Sequence, residues 1–166
     1  MSILKFETRT PKSLKTMYGY LVAPTKTDSR GIFGIGVNPS YAVEEMTFVQ
    51  QAFYKQELTH PYVQVILSLG KNVATDLRTV RRLCEEVGKI LVYDERQVFG
   101  AIHFKNTQYI HCHYLLNYVS VKGELYRQKV SLVTYKKQVN EILVRYSLPI
   151  TAIYYYGQGY DSLVTY

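Results

Sequence analysis

The stretch Gln97-Val-Phe-Gly-Ala-Ile-His-Phe104, a polar Lys105-Asn-Thr-Gln108, and then Tyr109-Ile-His-Cys-His-Tyr-Leu-Leu-Asn-Tyr-Val-Ser120 decides how this chain is read. Two apolar runs rich in β-branched and aromatic residues flank a short polar connection, which predicts an antiparallel hairpin. Successive side chains on a strand point to opposite faces. His111 and His113 therefore project together, while Cys112 turns away to pack as a small apolar residue. His103, on the neighbouring strand of such a hairpin, reaches the same face. Three imidazoles converging without a cysteine ligand leave coordination positions open, which suits a catalytic metal better than a structural one. Separate polar residues on the solvent side of a strand would be written with the same letters, so the metal reading depends on the hairpin. His60, just before Pro61, lies outside this geometry and reads as a loop residue.

Outward from the hairpin, helices and strands are mixed. Residues 4–8 alternate weakly as a first strand. Pro11 then suits a helix first turn, and Leu14, Met17, Tyr18 and Leu21 recur at helical spacing up to Pro24. A polar loop over 25–30 leads into an apolar strand over 31–37. Ser40 is a candidate cap for a helix to about Gln56, with Ala42, Val43, Met46, Val49 and Phe53 inward. Residues 62–69 read as a buried strand ended by Gly70. Asn72 is the candidate cap of a helix running to Glu86, with Gly88 as its stop. A periodic helix over 131–147 places Leu132, Tyr135, Val139, Ile142, Leu143 and Tyr146 on one side, and 150–156 is a last strand. The elements do not alternate strictly as βαβ units, which predicts an α+β domain with helices against an antiparallel sheet.

The bulk properties bound the function classes. A chain of 166 residues fits one domain, taken as residues 1–166, with its own core. No run is long and apolar enough to span a bilayer and no secretory segment opens the chain, so the reading is soluble, without membrane insertion. Two cysteines, Cys84 and Cys112, make no disulfide framework, and the default compartment is the reducing cytoplasm. A formal charge of +7 and a pI near 9.3 favour a polyanionic partner. The 17 tyrosines can stack on unpaired bases, although core packing accounts for many tyrosines equally well.

Several ordered segments resemble the relaxases of conjugative and mobilizable plasmids, within the HUH endonuclease superfamily. Lys12-Ser-Leu-Lys15 followed by Tyr20-Leu-Val-Ala-Pro-Thr-Lys26-Thr27 is similar to the family's first motif. Gly36-Val-Asn38-Pro with Ala42 and Glu45-Met46 resembles the next strand and helix, and the strand ending Ser68-Leu69 resembles the carrier of the second motif. His103, His111 and His113, followed by Asn117 and Gly123, resemble the third, most specific motif. Lys137 through Tyr146-Ser-Leu148 resembles the closing helix.

The resemblance implies an antiparallel sheet of about five strands flanked by helices. It also implies nicking of one DNA strand at an origin of transfer, with a tyrosine keeping the 5′ phosphate and the 3′ hydroxyl released. The three histidines would hold a divalent metal, Mn²⁺ or Mg²⁺. Partners would be single-stranded DNA, an origin hairpin, and relaxosome or coupling proteins. Family members usually continue into a partner-binding region, whereas this chain stops soon after the domain. Among the tyrosines, Tyr20 fits the motif spacing, and helical phase leaves it off the apolar face that makes Tyr18 a core residue. Lys12, Lys15, Lys26, Arg30 and Lys71 are candidate phosphate contacts; Arg78, Arg81 and Arg82 read rather as a solvated helix face.

Two positions depart from the family pattern. Lys105 stands where an aspartate often follows the first motif histidine, and Gln64 stands where the second-motif strand often carries a histidine. A carboxylate there would orient a ligand or take a proton. Its loss leaves Glu44, Glu45, Asp94 and Glu95 as candidate bases, with Asn106 either orienting a histidine or making the hairpin turn. Two rivals share the residues: a non-catalytic member that binds an origin hairpin, and a rolling-circle initiator. The latter usually places its tyrosine after the histidine pair.

Overall fold

A computed structural model describes residues 1–9, 12–93 and 95–153. The predicted hairpin is its centre: β4 (Val98–His103) and β5 (Tyr109–Asn117) pair antiparallel, with His103 opposite His111 and Ala101 opposite His113. β3 (Tyr62–Lys71) pairs with the other edge of β5, β1 (Ile3–Glu7) closes that side, and β2 (Ile32–Ile35) pairs with β4. The sheet has five strands in the order β1-β3-β5-β4-β2, antiparallel throughout. The expected α+β architecture is the one observed.

Two helical layers cover the sheet unequally. On one face α3 (Leu77–Ile90) and α4 (Leu132–Arg145) bury Val63, Val65, Leu67, Cys112, Tyr114 and Leu116 in the larger core. On the other, α1 (Leu14–Leu21) and α2 (Ala42–Ala52) cover Tyr62, Phe99, Ala101 and Leu115 with Leu14, Met17, Leu21 and Met46. Each fully buried Leu or Phe in these layers contributes about 1.5–3 kcal/mol relative to exposure. Cover on this second face runs out along β5. Leu115 is fully buried, His113 is 7% exposed and Tyr109 is 49% exposed.

Local chemistry explains most boundaries and corrects some expectations. Ser13, Asp76 and Ser131 cap α1, α3 and α4, each accepting from the backbone N–H three residues on. The α3 cap is thus Asp76 and not Asn72, whose φ of 50° belongs to the turn after β3. Ser40 is not a cap either. Asn38 accepts from the Ser40 N–H and opens a single 3-10 turn, Pro39–Tyr41, from which α2 departs. α2 ends at Ala52, short of Gln56, leaving Phe53 38% exposed.

Gly88 does not stop α3; it lies inside the helix because Ile35 and Tyr114 approach it, and a Cβ there would sit 2.6 Å from Ile35 Cδ1. Gly100 plays the same part in β4, where a Cβ would fall 2.2 Å from the Phe33 ring. Tyr18 is only half-buried, donating its hydroxyl to the Pro39 carbonyl at 2.9 Å. Of the last expected strand, Thr151 forms an isolated parallel bridge with Ser2, and residues 154–156 lie outside the described residues.

Candidate metal centre and its tyrosine

The hairpin register puts His103 and His111 side by side and His113 one pair further in, all on the α1/α2 face. Their rings lie 4.6–5.1 Å apart between centroids, and one ring nitrogen from each falls within 4.8 Å of the others. The three sequence-predicted ligands are therefore brought together. Cys112 points to the opposite face and is buried there.

Each imidazole has an outer partner that selects the nitrogen left inward. His103 Nε2 donates to the Leu21 carbonyl at 2.8 Å, leaving the Nδ1 lone pair. His111 Nδ1 donates to the Tyr109 carbonyl at 2.7 Å, leaving Nε2. A carbonyl oxygen can only accept, so both tautomers follow from the partner. His113 Nδ1 lies 3.0 Å from the Gln64 amide, so its remaining nitrogen is again Nε2.

Electrostatics disfavour charge on His103 and His113. Burial, then the neighbouring His103 and His111, then Lys26, lower the His113 pKa to about 3. Burial lowers that of His103 as well, against its bond to Leu21, with His111 and Lys26 adding to the effect. A neutral imidazole with its free lone pair inward, as the carbonyl partners leave His103 and His111 when uncharged, is the form that binds a divalent metal. The donor set fits such an ion, and the cluster contains no carboxylate among the described residues.

The same bond that fixes His103 also places Tyr20. Leu21, fully buried, ends α1 with its carbonyl on His103, and the adjacent Tyr20 projects from the last turn, 47% exposed. Its ring stands edge-on to His103 with centroids 6.4 Å apart. Two cations hold the ring: Lys26 Nζ lies 2.9 Å and Lys12 Nζ 4.8 Å from its centroid. Of the five candidate phosphate contacts, then, Lys12 and Lys26 meet at the tyrosine. Lys71 sits at the exposed end of β3 opposite Tyr109, and Lys15 is exposed on α1. Arg30 is engaged by Asp28 through two guanidinium hydrogen bonds.

The departures from the family pattern acquire a structural account. Lys105 reaches back to the Pro24 carbonyl at 3.2 Å and to Asp28 at 3.1 Å, while Asn106 donates to the Thr25 carbonyl at 3.1 Å. The hairpin turn thereby clamps the loop that carries Lys26, a role the sequence did not reveal. Asn106 makes this contact from the turn itself, at a φ of 53°, and orients no histidine. Arg30 and Lys105 hold the Asp28 carboxyl well below the usual carboxylate range. Among the described residues, none of the candidate bases joins the histidines. Glu45 accepts from the Asn38 N–H, Glu44 shares a surface groove with Phe48 and Gln97, and Glu95 pairs with Lys122. Asp94 lies outside the described residues. Arg81, expected on a solvated helix face, is instead half-buried and bonds Glu85 and the Ser29 and Arg30 carbonyls.

Comparison with known proteins bears on this arrangement from two directions. Nothing among curated proteins matches the chain. A solved structure described as the molecular basis of vancomycin resistance transfer in Staphylococcus aureus superposes with a TM-score of 0.61 at 14% identity. The match covers 93% of this chain and 100% of the other, a likeness of fold. The family described as the MobA/VirD2-like relaxase nuclease domain matches residues 20–148, a span that opens on Tyr20 and contains all three histidines. By that match this chain belongs to the MobA/VirD2-like relaxases and carries their nuclease domain.

Proposed function

We propose that this domain nicks one strand of DNA at an origin of transfer, with Tyr20 as nucleophile and His103, His111 and His113 as the metal ligands. The observation that carries the reading is the cluster of three imidazoles beside an exposed tyrosine held by two lysines. When bound, a divalent metal such as Mn²⁺ or Mg²⁺ offsets the negative charge that builds on the nonbridging phosphate oxygens. The chain's own groups supply the rest. Tyr20 Oη attacks phosphorus; the P–Oη bond forms as the P–O3′ bond breaks. The phenol proton leaves to solvent, and the 3′ oxygen takes one up as the released 3′ hydroxyl. The 5′ phosphate stays on Tyr20, so the linkage is retained for later rejoining. Lys26 and Lys12 restrict the ring and bring positive charge to the phosphate. The exposed Tyr109, at the start of the histidine strand, and Lys71 opposite it add a surface suited to single-stranded DNA and an origin hairpin. Cytoplasmic action alongside relaxosome or coupling proteins belongs to the same proposal.

The test is incubation with Mn²⁺ and single-stranded oligonucleotides spanning the transfer origin of the element that encodes the chain. A covalent protein–DNA adduct is expected from the wild type and none from Tyr20→Phe. An adduct undiminished in Tyr20→Phe removes Tyr20 as the nucleophile. The lack of a carboxylate in the cluster favours a second reading, a non-catalytic hairpin-binding accessory. Tight, salt-sensitive binding with no adduct under Mn²⁺ or Mg²⁺ would select that reading.

A further inference from the structure

The three histidines differ in what stands behind them. His103 and His111 are backed by main-chain carbonyls, which hold those rings in one tautomer whatever the side chains around them. His113, one register pair further in along β5, is backed by a side chain. Gln64, 4% exposed on β3, sits diagonally across from it, and its amide nitrogen Nε2 lies 3.0 Å from Nδ1. The amide has two ends of opposite character. A nitrogen toward Nδ1 donates into that lone pair and drives the ring proton onto Nε2, the only nitrogen left for a metal. An oxygen toward Nδ1 accepts the Nδ1 proton and releases the Nε2 lone pair. The Gln64 oxygen is buried and has no hydrogen-bond partner among the described residues. A buried amide oxygen without a donor carries its full desolvation penalty, and with the two amide ends exchanged the imidazole Nδ1–H is the donor within reach. Amide ends are assigned by their hydrogen bonds, and a half-turn about the last side-chain bond exchanges them.

We propose that Gln64 is a positioning residue that commits His113 to metal ligation, its amide oxygen accepting the Nδ1 proton so that Nε2 faces the ion. The inference rests on the metal reading above and adds to it the residue that makes the third ligand competent. Outer partners of this kind orient the ligand and raise its basicity. A carboxylate does both strongly, whereas an amide is neutral and does the second weakly. The centre then combines three neutral imidazoles, a neutral outer partner and the Lys26 ammonium. That charge balance favours an anionic phosphodiester over tight retention of the metal.

Two measurements on the full chain test the assignment, with Mn²⁺ alone as the probe. Calorimetric titration should show Gln64→Leu binding Mn²⁺ roughly 10–100-fold more weakly than the wild type. Gln64→Glu, which restores an acceptor of the same length and adds charge, should bind at least as tightly as the wild type. Nitrogen-15 NMR of the histidine rings in metal-free protein should show His113 protonated on Nδ1 in the wild type and in Gln64→Glu, and shifted toward Nε2 in Gln64→Leu. Wild-type affinity in Gln64→Leu, or an Nε2-protonated His113 in the wild type, overturns the proposal while leaving the three-histidine centre intact. Absence of Mn²⁺ binding by the wild type overturns the centre itself and Gln64's role with it. Should Gln64→Leu fail to fold, Gln64→Glu decides alone: binding weaker than the wild type, or an Nε2-protonated ring, refutes the role.

Discussion

Acidification of the metal-free protein probes how deeply the histidine cluster is built into the fold. Above pH 6.5 His113 is neutral in both folded and unfolded chains and its titration does not affect stability. Below 6.5 the unfolded chain takes up a proton that the folded site, with a pKa of about 3, refuses. The unfolded state then binds more protons, and stability falls as the pH falls through the window from about 6.5 to about 3. At pH 5 the unfolded imidazole is protonated about thirtyfold over its neutral form while the folded one is almost wholly neutral. Relative to pH 7 this costs about 2 kcal/mol. His103 acts in the same direction, and because His113 is not among the causes of its shift, its share persists when His113 is replaced. Urea denaturation with chelator present, at pH 7 and pH 5, should therefore show the wild type losing about 2 kcal/mol more than His113→Asn. Equal losses in the two proteins would refute the claim that burial and neighbouring positive charge hold His113 neutral.

Other expectations follow from the same geometry. Saturating Mn²⁺ at about 100 times its dissociation constant should raise wild-type stability by about 2.7 kcal/mol, and His111→Ala should abolish that increment in thermal denaturation. Lys12→Ala and Lys26→Ala should each lower the salt-dependence slope of single-stranded DNA binding by about 0.7, read by fluorescence anisotropy across salt concentrations. Gly100→Ala, whose new methyl would meet the buried Phe33 ring, should destabilise the domain by about 1–3 kcal/mol in urea, with β4 the strand disturbed. Lys105→Ala should slow adduct formation by freeing the loop that presents Lys26, while leaving Mn²⁺ affinity unchanged in calorimetry.

Much of this molecule is written in local patterns. The two apolar runs over 97–120 and the polar connection between them are enough to predict the hairpin. From that hairpin the shared face of His111 and His113 follows without knowledge of the rest. The spacing of Leu14, Met17 and Leu21 likewise predicts a helix with Tyr20 off its buried side. Boundaries were less legible where several residues compete for one task. Asn38 and Asp76 cap in place of Ser40 and Asn72 because the cap is whichever short polar side chain reaches the free N–H groups. Gly88 reads as a stop by its conformational freedom, yet it is retained inside α3 because Ile35 needs its space.

The partnerships around the site were decided only by the tertiary structure. That Leu21 lends its carbonyl to His103, that Lys105 and Asn106 clamp the loop behind Lys26, and that Gln64 backs His113 are contacts across 82, 81 and 49 positions of chain. No periodicity encodes them. They arise because closing the sheet in the order β1-β3-β5-β4-β2 brings α1, the 24–28 loop and β3 to the same end of one hairpin. The sequence alone placed three histidines and a tyrosine as candidates; the sheet, with one helix end tied to it, is what sets the outer partners, the burial and the reach of that group.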